Sequence, residues 1–193
     1  MKRMGPRAAL LCGAALLLTG LTGAAAQAQP LLPLEQLGKS IFFDVNLSLE
    51  RNQACAACHG PEVGFTGPIS DINAHGAVYE GSVLDRFGDR KPPSAAYATL
   101  SPIFHQDKTG LFIGGNFWDG RATGEVLGNP AADQALGPFL NPVEQALPDP
   151  SCVVYLVREG SYSDLFYAVW GMALADVEFP EDMKQQCRRS TGD

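Results

Sequence analysis

Two thiols and an imidazole stand together at Cys55-Ala56-Ala57-Cys58-His59. The spacing sets Cys55 and Cys58 about one helical turn apart, where both can form thioethers to the vinyl groups of one haem while the adjacent imidazole faces the iron. This is the attachment pattern of a c-type haem. Two other chemistries use similar residues. Zinc could take Cys55, Cys58 and His59, but structural zinc usually takes four protein ligands, and no second close Cys or His pair occurs in the sequence. A thioredoxin-like redox pair belongs beside a βαβ pattern, which is not visible here. The motif predicts one covalently bound haem c, held by Cys55 and Cys58, with His59 as the proximal iron ligand.

What such an iron does depends on its other face. Met/His ligation is common in electron-carrying cytochromes c. After Met4 the next methionine is Met172, 113 residues beyond His59, so a Met-ligated carrier is disfavoured. Two histidines remain. His75 lies in the small polar segment Ser70-Asp71-Ile72-Asn73-Ala74-His75-Gly76, close enough in sequence to fold back over a haem. It reads either as a second iron ligand on a loop able to leave, or as a solvated loop histidine. His105, in Phe104-His105-Gln106-Asp107, reads as a surface residue.

These groups need elements to hold them. Leu34, Leu37, Ile41 and Phe42 recur at helical spacing after Pro33, predicting a short amphipathic helix over Leu34–Phe43. Between Asn46 and Asn141 the chain is rich in Gly, Pro, Asn, Asp and Ser, with few windows for a periodic helix or strand. So long an irregular stretch suits a compact domain only if a large ligand replaces part of the core. Helical patterns return later: one capped by Ser151 and running through Val157, one from Ser163 carrying Leu165, Phe166, Val169 and Trp170 before Gly171, and one from Pro180 to Cys187. No internal repeat or strand–turn alternation is visible. The predicted fold is mostly α, a cytochrome c-like haem domain with long irregular loops.

The first 28 residues have the three parts of a secretory signal peptide. Lys2, Arg3 and Arg7 precede an apolar run from Ala8 to Leu21, and Ala26-Gln27-Ala28 forms a small-residue cleavage site. Glycines interrupt a run too short to span a bilayer, so a membrane anchor is disfavoured. Residues 29–193 are then expected as a single haem domain, exported to the periplasm. Loss of the three basic leader residues takes the formal charge from −7 to −10, which argues against nucleic acid as a partner. Of five cysteines, Cys12 leaves with the leader and two hold haem. Cys152 and Cys187 either pair in the oxidising compartment, closing a loop for roughly 3 to 4 kcal/mol, or remain two unpaired thiols.

A longer series of residues carries a family resemblance. In order, it runs Leu37-Gly38, Phe42-Phe43-Asp44, Leu47-Ser48, the haem motif, Gly64-Phe65-Thr66, Arg90-Lys91-Pro92-Pro93-Ser94, Phe117-Trp118-Asp119-Gly120-Arg121, Gly137-Pro138 and Asn141-Pro142-Val143-Glu144. This resembles the bacterial di-haem cytochrome c peroxidase family, which includes MauG-like proteins. The match is to the first, peroxidatic-haem domain only, since no second Cys-x-x-Cys-His occurs. The resemblance implies a detachable distal histidine at His75, an amide just before the Phe-Trp-Asp-Gly-Arg segment at Asn116, and a catalytic acid at Glu125 or Asp133. A carboxylate near an open iron face can move a proton between peroxide oxygens. Arg121 would contact a haem propionate or stabilise developing charge, or simply pair with Asp119. Phe117 and Trp118 read as haem-packing or core aromatics.

The expected function is periplasmic reduction of hydrogen peroxide, with electrons from a small redox protein of cytochrome c or cupredoxin type. The second haem would then come from a separate chain, or the gene product is incomplete. The alternatives are a mono-haem electron carrier without catalysis and a truncated, non-functional fragment. Calcium, bound between the two domains in relatives, is doubtful with one domain.

Overall fold

The computed structural model describes residues 29–188; residues 1–28, where a signal peptide is expected and where Cys12 stands, lie outside the described residues. Helix α1 (Pro33–Phe43) starts on a proline, whose missing N–H costs nothing in a first turn. Glu35 reaches back to accept the Leu32 N–H at 2.8 Å, satisfying one of the amides a helix start leaves free. Helices α6 (Pro150–Glu159) and α7 (Ser163–Trp170) follow late in the chain, and α8 (Met183–Gln186) is a single turn.

The predicted boundaries move at three ends. Helix α6 is capped by Asp149, whose carboxylate accepts the Ser151 N–H at 2.8 Å; a carboxylate at the N-cap also faces the positive end of the helix dipole. The helix runs two residues past Val157, to Glu159. Pro180 does not start α8; its carbonyl accepts the Met183 N–H at 3.0 Å in the preceding turn. Gly171, in the left-handed region at φ 65°, ends α7 as expected.

The predicted irregular stretch contains short elements that no periodicity reveals. Helices α2 (Cys55–Cys58), α3 (Ser70–Ala74), α4 (Pro130–Ala135) and α5 (Gly137–Leu140) have six residues or fewer. One antiparallel pair, β1 (His105–Gln106) with β2 (Phe112–Ile113), sets His105 opposite Ile113. Pieces this short cannot nucleate alone; side-chain caps and tertiary contacts fix them, as when Asn129 accepts the Ala131 N–H at the head of α4.

The apolar core is lopsided. Leu37 of α1, Leu47, Leu147, Leu156 and Val157 of α6, Tyr162, Leu174 and Met183 of α8 are buried together around a Cys152–Cys187 disulfide. Helix α1 packs against both α7 and α2, which joins the helix that carries the two thiols to the apolar core. Among the described residues, no helix is long and apolar enough to cross a membrane.

Candidate haem-binding site

The approach to the motif is fixed by hydrogen bonds more than by apolar packing. Ser48, fully buried, donates through Oγ to the Val45 carbonyl and accepts the Asn52 and Gln53 N–H groups, each at 3.1 Å. Arg51, in the left-handed region, donates to the carbonyls of Asn46 and Ser48 at 3.0 and 2.6 Å and reaches that of Cys187 at 3.4 Å. The turn entering α2 is thereby tied to the disulfide region.

Helix α2 carries both thiols, half-buried and not bonded to each other. Burial, then the nearby Glu144 carboxyl, pushes the Cys58 thiol up to about 11, against a weaker opposing hydrogen bond from Gln53. Cys55 is raised by burial first and by Glu144 as well. His59 closes the turn, its N–H donating to the Cys55 carbonyl at 3.0 Å. Its Nδ1 lies 3.0 Å from the Phe65 carbonyl. A carbonyl only accepts, so Nδ1 carries the proton and Nε2 keeps the lone pair that a metal-ligating imidazole needs.

Phe65 is held for this contact. It sits in the left-handed region at φ 59°, uncommon for a bulky residue and maintained only when the surroundings enforce it. The Gly60 carbonyl accepts its N–H at 2.8 Å, and its own carbonyl also takes the Ala95 N–H at 2.9 Å. Phe42 of α1 meets its ring edge-on at 5.8 Å.

Two unpaired thiols one turn apart, beside an imidazole with a directed Nε2, fit the demands of a c-type haem. They do not fit a bare ion: among the described residues, no group of three or more His, Cys, Asp or Glu side chains is placed to hold one.

The structure scatters the other residues singled out from sequence. His75 caps the end of α3, mostly exposed, with Nδ1 2.9 Å from the Asp71 carbonyl and 3.3 Å from its carboxylate. His105 is exposed on β1, as expected of a surface residue. Asn116 closes a tight loop by pairing its backbone with Ala122; with its amide turned so that the oxygen meets a donor, it shares the Ala131 N–H, at 3.0 Å, with Asn129. Within that loop the Arg121 guanidinium donates to both Asp119 oxygens at 2.9 Å and stacks 3.8 Å from the Phe117 ring centroid. Trp118 is 87% exposed and so takes no part in the protein core. Asp133 accepts three backbone amides, from Gly124, Val126 and Leu127, which commits its carboxylate to that turn. Glu125 is exposed, and among the described residues its hydrogen bonds are to Thr123.

The acid whose charge acts on both thiols is Glu144. Its carboxyl is pushed above the ordinary range first by burial, against the Asn141 hydrogen bond and the Arg121 charge. Asn141 Nδ2 donates to it at 2.6 Å. The Ser82 N–H donates to the Glu144 carbonyl at 2.7 Å. Gly81 approaches so closely that a Cβ there would lie 2.5 Å from the Val143 carbonyl oxygen. Sequence reasoning passed over this residue although it ends the Asn-Pro-x-Glu motif. The useful signal was Asn141 three residues before it, an amide able to orient the acid; its 85-residue separation from His59 in sequence hides the rest.

Fold and site together define a mostly helical, cytochrome c-like haem domain of the peroxidase class. The family model for di-haem cytochrome c peroxidases matches residues 33–187, and the chain belongs to that family, whose members bind c-type haem. It is 40% identical over 156 residues to the methylamine utilization protein MauG of Paracoccus denitrificans, covering 80% of this chain and 38% of that protein. It is 31% identical over 111 residues to the cytochrome c peroxidase Ccp of Escherichia coli, covering 57% of this chain and 18% of that one. A crystal structure of a variant of the diheme peroxidase BthA from Burkholderia thailandensis superposes with a TM-score of 0.63 at 29% identity, over 83% of this chain and 37% of that one. The chain therefore spans well under half the length of these relatives.

Proposed function

We propose that this chain is an exported, periplasmic haem domain that reduces hydrogen peroxide to water with electrons from a small redox protein of cytochrome c or cupredoxin type. The observation that carries this reading is the haem-attachment turn itself, with two unbonded thiols one turn apart and an imidazole whose Nδ1 is held 3.0 Å from the Phe65 carbonyl; the half-buried acid Glu144, held by Asn141 at 2.6 Å, acts on both thiols through its charge. One haem c would be held by Cys55 and Cys58, with His59 as axial ligand, and would supply the iron centre that binds peroxide and passes electrons. His59 is kept in one tautomer by the Phe65 carbonyl. Glu144 would accept a proton at its carboxylate and give it back, the proton movement that cleavage of a peroxide O–O bond requires. Asn141 orients that carboxyl, and Arg121 places positive charge toward it.

Asn116 and Asp133 shape the loops on either side of Arg121, and Glu125 stays at the surface. His75, on the exposed end of α3, would be the second, displaceable ligand of that iron. Reduction to two waters consumes two electrons and two protons, so one bound haem needs a donor protein or a second haem on a separate chain.

The test is haem-loaded protein given a reduced donor and peroxide, natural against Glu144→Gln. Donor oxidation above that of free haem, and its loss in the variant, is expected. An iron that stays six-coordinate in both oxidation states and ignores peroxide, cyanide and carbon monoxide would favour a simple electron carrier.

A further inference from the structure

Among the described residues, the buried side-chain nitrogen and oxygen atoms without a hydrogen-bond partner belong to two glutamines, Gln53 and Gln145. A buried amide with an idle atom loses its water without full compensation, so its retention calls for a reason. Gln53 stands two residues before the first thiol and is 8% exposed. Its main-chain N–H is fixed by Ser48. One side-chain N–H goes to the Glu80 carbonyl at 2.9 Å, and the same nitrogen lies 3.7 Å from Cys58 Sγ. An amide nitrogen carries two hydrogens, so both contacts can be made at once. An apolar side chain of similar length would fill this place without burying an unpaired Oε1. What it would lack is the N–H on sulfur.

The two thiols are thus held unequally: Cys58 has an amide donor locked at both ends, and among the described residues no side chain donates to Cys55. We infer that Gln53 is a positioning residue for covalent haem attachment, fixing Cys58 Sγ for its own thioether. Attachment adds S–H across a vinyl group. The sulfur bonds one carbon, the hydrogen goes to the other, and the carbon–carbon π bond is consumed, with no oxidant or reductant. The inference rests on the haem reading of the motif.

The test compares natural protein with Gln53→Met and Gln145→Met, each matured with haem in an exporting host that performs c-type attachment. Free thiols are alkylated and quantified at Cys55 and Cys58 separately by peptide mass spectrometry. In Gln53→Met, free Cys58 is expected to rise several-fold, up to about tenfold, the range a single neutral hydrogen bond controls, while Cys55 stays attached. Gln145→Met, which removes the other buried amide, should leave both attachments complete. Equal completeness in Gln53→Met, equal loss at both cysteines, or the same selective loss in Gln145→Met would overturn the inference. A natural chain with no thioether at either cysteine would instead overturn the haem reading itself.

Discussion

Removing the Cys152–Cys187 bridge tests how far the haem motif depends on the distant C-terminal segment. The bond joins positions 35 residues apart, and closing such a loop in the unfolded chain corresponds to about 4 kcal/mol. Both cysteines are almost wholly buried in the main cluster, so Ala is the appropriate replacement; Ser would bury unpaired hydroxyls. Set against the usual 5–15 kcal/mol of a domain, about 4 kcal/mol is a large share. At this chain length it lowers Tm by about 8–16 °C. A local effect is also expected. The Cys187 carbonyl accepts from Arg51, and Arg51 holds the turn that Ser48 fixes ahead of α2. The double variant Cys152→Ala/Cys187→Ala should therefore take up haem less completely than it should by global stability alone. Thermal melts of haem-loaded protein, with mass spectrometry under non-reducing conditions, read both effects. Two free thiols in the natural protein, or a Tm change within about 2 °C, would refute the reasoning.

Glu144→Gln keeps an acceptor for Asn141 but cannot exchange a proton, and should lower peroxide-dependent donor oxidation by about 10²–10⁴-fold; a rate within twofold of natural removes Glu144 from the chemistry. The same variant makes a pH prediction. The folded protein holds the Glu144 proton more tightly than the unfolded chain, whose ordinary value is 4.5. That contribution is fully present below 4.5 and is lost as pH rises through the higher folded value. Gln does not titrate, so Tm of the variant minus Tm of the natural protein should grow between about pH 4 and pH 7, and a flat difference contradicts the raised pKa. His75→Ala should abolish any low-spin, six-coordinate signature of the resting ferric protein, and an unchanged optical spectrum removes His75 from the iron. Ser48→Ala leaves two backbone amides and a carbonyl without their shared hydroxyl, and should cost about 1–3 kcal/mol in denaturant unfolding.

The parts legible in the sequence were those whose signal is local. The two thiols and His59 declare themselves by spacing, and α1, α6 and α7 by apolar period and punctuation at Pro33 and Gly171. The short elements between Asn46 and Asn141 were not legible. Their stability comes from single side-chain contacts, such as Asn129 on Ala131 or Ser94 on the Gly64 carbonyl, and leaves no periodic trace. The acid proposed here was not legible for a related reason. Asp133 and Glu125 lie near Arg121 in sequence, but the structure spends Asp133 on three amides and leaves Glu125 at the surface. The Glu144 segment is held by Gly81 and Ser82, which run against the Val143 and Glu144 carbonyls, a contact no linear pattern encodes.

This arrangement divides labour between two kinds of cohesion. The C-terminal helices and α1 hold together by apolar burial around a disulfide, which tolerates change as long as volume is kept. The segments that present Cys58, His59 and Glu144 are instead joined by directed bonds: Ser48 to the turn before α2, Gln53 to Glu80, Ser82 to the Glu144 carbonyl, His59 to Phe65. Directed bonds have a narrow range of productive distance and angle, so they position groups more finely than packing does, and each is lost outright when its donor is removed. Gly81 shows the margin. Its φ lies outside the left-handed region, so its glycine is explained by the Val143 carbonyl, which leaves no space for a methyl group. A side chain at that point would separate the acid's segment from the one that carries Ser82. The two kinds of cohesion meet at Arg51 and Ser48, where the turn before α2 is tied to the disulfide region, so damage there should register both in stability and in site geometry.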